Sequence, residues 1–194
     1  MQLNVLEPIS FEHVRASAGC RLSGLAQAVQ CISLKDAISI DFCLSELIDL
    51  QFLREFNDEI SKFMGLNVPA IYTFQLKDRS AYPALKVAFD RKPKVLPENS
   101  SACSYSRLNG GQHPNALYVG SSRSLATRIS QHMGRIGGNG TYAMRLCHWA
   151  TGLQQQVVLT LWQLAASTSS SELEVLEQQL WDELKPMLGK RSGR

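Results

Sequence analysis

Tyr118, Arg128 and His132 fall within one short run, ALYVGSSRSLATRISQHM from Ala116 to Met133, that reads as a strand entering a helix. An aromatic hydroxyl, a fixed cation and an imidazole converging at such a junction suit a phosphodiester: a planar guanidinium grips two phosphate oxygens, while the hydroxyl and ring move or donate protons. A carboxylate that would complete such a site comes from far downstream. Setting Leu173 at zero and advancing about 100° per residue, Leu176, Leu180, Leu184 and Met187 lie within roughly 60° of one direction and Glu177 at about 40°, inside the stripe. A carboxylate on a packing face is costly unless it is paired or ligates a cation. Glu177 is therefore either a metal ligand or half of a buried salt bridge. The same count groups His132 with Leu125, Ile129 and Ile136, with Arg128 at the edge, so His132 is either a satisfied core histidine or a partner of that arginine.

The elements that must position these groups follow from pattern and punctuation. Ala116 to Val119 reads as a strand, Gly120 as a sharp turn, and Ser121 or Ser122 as the N-cap of a helix over about 122–135 closed by Gly137-Gly138. VPAIYTFQL, after the change of period at Pro69, is a second strand centred on Ile71, Tyr72 and Phe74, and QQVVLTLWQL a third. Between the first two lies a long connection with one helix over AYPALKVAFDR. A short helix is expected from Thr141 to Ala150, and ASTSSS caps a terminal helix ending near Leu188. The first 66 residues read as helical: SELIDLQFLREFNDEISKFMG, from Ser45 to Gly65, is a helix about 30 Å long, with shorter helices over SGLAQAVQCI and LKDAISIDFCL. The expected fold class is α/β of the α+β kind, a small central three-stranded sheet flanked by helices. The expected division is a helical region over 1–66, which offers an interface to a partner or a second copy, and a domain over 67–194 with an insertion at about 77–115.

Composition narrows the partners. Hydrophobic content of 44% and charged content of 19% are ordinary for a globular domain. The N-terminus lacks a basic stretch followed by an apolar run, and no segment approaches about 18 consecutive apolar residues, so a cytoplasmic protein with no membrane partner is expected. Five widely spaced cysteines without a CxxC pair point to free thiols, and Cys147-His148 to core packing. Residues 1–67 carry five basic and nine acidic side chains, residues 68–194 fifteen basic and eight acidic. No Asp or Glu stands between Glu98 and Glu172, an interval that holds Arg107, Arg123, Arg128, Arg135 and Arg145. Such a stretch attracts a polyanion, and Arg107, Arg123, Arg135 and Arg145 are its candidate nucleic-acid contacts.

Taken in order, these residues resemble the GIY-YIG nuclease superfamily. Ala70-Ile71-Tyr72 stands where the first tripeptide belongs, Tyr118-Val119-Gly120 where the second does, Arg128 follows on a helix, and His132 is placed as in some restriction-type members. LEQQLWDELKPMLGK looks like the terminal metal-binding helix of that family. The resemblance covers about residues 68–190. Ala70 replaces the first glycine, Gly189 stands where an asparagine is frequent, and the gap between the tripeptides is longer than usual.

The resemblance implies an endonuclease that hydrolyses DNA phosphodiester bonds with one divalent cation, Mg²⁺ or Mn²⁺, held by Glu177. It implies that Tyr72 activates or orients the attacking water, that Tyr118 supports water or phosphate, that Arg128 binds the phosphate, and that His132 relays a proton or binds phosphate. An inactive nucleic-acid-binding module of the same fold and an RNA-directed nuclease are the alternatives.

Overall fold

The computed structural model describes residues 11–63, 68–94, 104–110, 115–136 and 142–191. It divides into two compact units, Met1–Ile32 and Ser33–Arg194. The described residues of the first form one helix, α1 (Phe11–Gln30), which starts twelve residues before the expected SGLAQAVQCI helix and ends two residues before its Ile32; Phe11 and Leu22 on it are exposed.

The second unit is a mixed α and β layer structure. Its elements run β1 (Leu34–Cys43), α2 (Leu50–Phe63), β2 (Ala70–Leu76), α3 (Tyr82–Asp90), β3 (Ala116–Ser122), α4 (Leu125–Met133), β4 (Gln156–Leu164) and α5 (Ser170–Leu184). The sheet has four antiparallel strands in the order β1-β4-β2-β3, so the three-strand expectation is corrected. The added strand is LKDAISIDFC, read from sequence as helix. Its Ile38, Ile40 and Phe42 alternate with Ser39 and Asp41, the period of a half-buried strand, and its register runs from Leu34 opposite Leu164 to Cys43 opposite Gln156. Residues 34–63 thus belong with the sheet, not with a helical extension. The long helix expected from Ser45 begins instead as a 3₁₀ turn over Leu44–Ile48, and α2 proper covers fourteen residues; Gly65 lies outside the described residues.

Strands β2 and β3 pair in a register that sets Tyr72 opposite Gly120 and Phe74 opposite Tyr118. These four positions share one face, against which α4 packs with Leu125, Ile129, His132 and Met133 buried. Beyond them the core continues through Phe74, Phe42 and Phe56, whose rings meet edge to face. Ile71 and Ser121, one residue out of phase, face α5. Strand β3 is the edge strand, so groups on both faces of the sheet can gather around it.

Several boundaries differ from expectation. Strand β3 continues through Gly120 to Ser122, with Ser124 at the N-cap position of α4, and the helix closes at Gly134, whose φ of 95° is left-handed, before Gly137-Gly138, which lie outside the described residues. The helix expected over 141–150 is a single 3₁₀ turn, Leu146–His148. Ser169 caps α5 through a capping box with Glu172, as the serine-rich run implied, but the helix ends at Leu184 with Lys185 left-handed at φ 45°. The chain then turns back: Met187 N donates to Ala116 O and Leu188 N to Leu117 O, while Gly189 N donates to Arg107 O. This return ties the 104–110 segment to the start of β3.

Candidate functional site

Tyr72, Tyr118, Arg128, His132 and Glu177 come from four elements and meet at β3. Gly120 makes the meeting possible, though not by turning. A Cβ built there would lie 2.5 Å from the Tyr72 hydroxyl oxygen and 2.8 Å from Cε1 of Tyr118, so the missing side chain is what lets both rings cross the edge strand. The turn expected at Gly120 is corrected accordingly. The two tyrosine rings stack with centroids 6.1 Å apart and planes 11° from parallel, and the His132 ring lies 4.2 Å from that of Tyr118.

The hydrogen bonds of His132 fix its tautomer. Met144 N donates to His132 Nδ1 at 3.2 Å, so Nδ1 carries a lone pair and the proton of the neutral ring is on Nε2. That Nε2–H donates to Tyr72 Oη at 2.9 Å. Burial drives the His132 pKa well below its usual value and the Arg128 charge adds to the effect, so the ring stays neutral. Tyr72 is shifted the other way. Its complete burial raises its pKa well above 10, Tyr118 and Glu177 act in the same sense, and Arg128 opposes them. Tyr72 therefore keeps its proton at neutral pH.

Arg128 stands one layer further out. Its Nη2 donates to Tyr118 Oη at 3.1 Å and to the Tyr142 carbonyl at 3.1 Å, and its Nη1 to Gln131 Oε1 at 3.0 Å. Tyr72 Oη thus accepts from His132 Nε2 and Tyr118 Oη from Arg128 Nη2, and Tyr118, on the cleft wall, retains a proton to donate into the cleft. From the opposite face, Ser121 Oγ donates to Glu177 Oε2. Ser121 serves this carboxylate rather than capping α4. Glu177 is half-buried and, on α5, Leu173 alone is fully buried among the described residues, while Leu176 and Leu180 line an open apolar groove with Ile71 and Trp162. No group of three or more His, Cys, Asp and Glu side chains that could hold a metal converges among the described residues.

Beside this cluster a cleft of about 490 Å³ is lined by Arg107, Tyr118, Arg128, Tyr142 and Lys190. Arg107 is the one of the four candidate contact arginines that lines this cleft. Lys190, which also lines it, is not among the residues the sequence singles out, because it stands past the end of the terminal-helix pattern. Gly189 is glycine for its own reason, since its φ is 118° and a Cβ there would lie 3.1 Å from Tyr118 Cε2. The other three arginines are not in the cleft. Arg145 is corrected outright: it is 3% exposed, left-handed at φ 54°, and its Nε donates to Ser104 O at 3.0 Å, which makes it an internal strut. Arg123 is half-buried and its Nη2 donates to Thr168 O, bracing the loop that caps α5. Arg135 is exposed past the end of α4.

Cys147 and His148 are structural, as expected. Cys147 donates to Leu47 O at 3.4 Å with its pKa raised by burial to about 11, and His148 Nε2 meets Gly134 O at 3.0 Å. The described Cys20, Cys31, Cys43 and Cys147 are free thiols. No described helix is long and apolar enough to cross a membrane.

No family model, curated protein or solved structure matches this chain.

Proposed function

We propose that the chain is a divalent-cation-dependent endonuclease acting on DNA phosphodiester bonds, on a fold of the GIY-YIG kind. The observation that carries this reading is the convergence, at one glycine on an edge strand, of two stacked phenols, a guanidinium and a separate carboxylate. The Tyr118 hydroxyl and the Arg128 guanidinium on the cleft wall form a site for a tetrahedral anion. Glu177, half-buried on the other face of β3 and near enough for its charge to act on both tyrosines, is suited to a hard cation that keeps most of its ligands as water and phosphate oxygens, which fits Mg²⁺ or Mn²⁺ better than a metal needing three protein ligands. When bound, such a cation polarises a phosphate oxygen and stabilises the leaving group.

The chain's own residues divide the remaining work. Arg128 binds the non-bridging oxygens and offsets charge that develops at phosphorus. Tyr118, at the cleft wall, donates its O–H to a phosphate oxygen, and the proton of the attacking water passes to solvent in the open cleft. Tyr72 and His132 have no exposed surface and act through these two: His132 Nε2–H orients the Tyr72 hydroxyl, which supports the stacked Tyr118 ring. The protonated state of Tyr72 makes it a positioning residue, not the base that takes the water's proton.

Incubation of supercoiled plasmid with Mg²⁺ or Mn²⁺, against an EDTA control and alongside labelled RNA, tests the proposal. The expected result is nicked or linear DNA only when the cation is present. Cleavage of RNA alone would transfer the mechanism to the alternative substrate, and binding without cleavage of either would leave the inactive binding module.

A further inference from the structure

We infer that a single strand of nucleic acid leaves the cleavage cleft past Tyr142 and runs along a second cleft built by the insertion; this rests on the nuclease reading above and assigns a path to its substrate. The second cleft, about 530 Å³, lies between the end of α3 and the 104–108 segment and shares Ser106, Arg107 and Tyr142 with the first. Each volume is that of a pocket taking a group of nucleotide size, not a duplex. Both carry cations: Lys92 and Lys94 stand in the second, Arg107 in both, and Arg128 and Lys190 in the first. Asp90, the acid of the second cleft, is paired with Lys86 at 3.6 Å.

The junction carries an aromatic ring. Tyr142 is 67% exposed, and its carbonyl is held by Arg128 Nη2 at 3.1 Å, so its backbone is anchored to the cleavage site while its ring faces solvent. An exposed ring between cationic walls is a stacking platform for an unpaired base, which a duplex does not offer. In the second cleft Lys92 Nζ sits 3.8 Å from the centroid of the Phe89 ring and donates to Phe89 O, which holds that cation at the wall. Sequence reading had no signal for this path, because Lys92, Arg107 and Tyr142 belong to separate segments.

Fluorescence anisotropy in EDTA, where no strand is cut, tests the inference by the ratio of affinities for a duplex with a single-stranded tail and for the same duplex blunt. The wild-type protein and Tyr142→Phe should favour the tailed duplex about tenfold, the gain one stacked base supplies. Tyr142→Ala and Lys94→Glu should bring the ratio near one. A wild-type ratio of one, or an undiminished ratio in Tyr142→Ala, overturns the path. Cleavage of blunt and tailed plasmid fragments at equal rates with a ratio of one would sink the path and leave the nuclease intact; a tenfold ratio with no cleavage under any cation would do the reverse.

Discussion

The site around Gly120 has two depths that contain similar chemistry and behave differently. In the inner layer, Tyr72 and His132 are wholly buried, each polar atom is committed to a neighbour, and burial holds both groups neutral. In the outer layer, Arg128 and Glu177 are half-buried and Tyr118, though 9% exposed, lines the cleft with Arg128, Arg107 and Lys190. The contrast separates two duties that residue types alone run together. Burial raises the pKa of both tyrosines, so what separates them is access: Tyr72 has no surface and positions, whereas Tyr118 lines the cleft beside Arg128 and is able to meet substrate.

Substitutions can break the contrast from either side. The largest effect is expected in the outer layer: Arg128→Lys should cut cleavage by about 10²–10³-fold with little change in Tm, because an ammonium cannot hold Tyr118, the Tyr142 carbonyl and a phosphate in one plane. Gly120→Ala should reach both layers. Its Cβ collides with the Tyr72 and Tyr118 rings, so denaturation should show a loss of about 1–3 kcal/mol together with lost cleavage.

The inner layer should reveal itself through pH. The folded-state pKa of His132 lies below its unfolded value near 6.5, so its contribution is fully present above pH 6.5. Below that pH the unfolded chain takes up a proton that the folded chain refuses, and stability should fall by up to about 1.4 kcal/mol per pH unit. His132→Gln should flatten that part of the profile. The smallest effects belong to the cleft rim: Arg107→Ala or Lys190→Ala should weaken DNA binding a few-fold and reduce its salt slope by about one.

What was legible in the sequence was whatever is local. The β2 and β3 tripeptides, the capped terminal helix and the one-turn spacing of Arg128 and His132 are local patterns, and each lies where it was read. Strand β1 was legible and misread: the alternation of Ile38, Ile40 and Phe42 was present, but a short apolar run also fits a helix, and only its pairing with β4 decides. The need for glycine at position 120 is a contact with a ring forty-eight positions upstream, at Tyr72, and not the backbone turn its local sequence suggests. Arg145 and Arg107 carry the same charge in the same acid-free interval, yet one is a strut and the other lines the cleft. Burial set them apart, and charge counting does not register burial.

The division into layers depends on the outer one doing chemistry, and the most direct test is Glu177→Ala beside the wild type on the same plasmid with Mg²⁺, with DNA binding measured on the same samples. The account predicts that cleavage disappears while binding and Tm stay close to wild type, because Glu177 contributes a carboxylate and not a phosphate contact. Equal cleavage by wild type, Glu177→Ala and Arg128→Ala would contradict it.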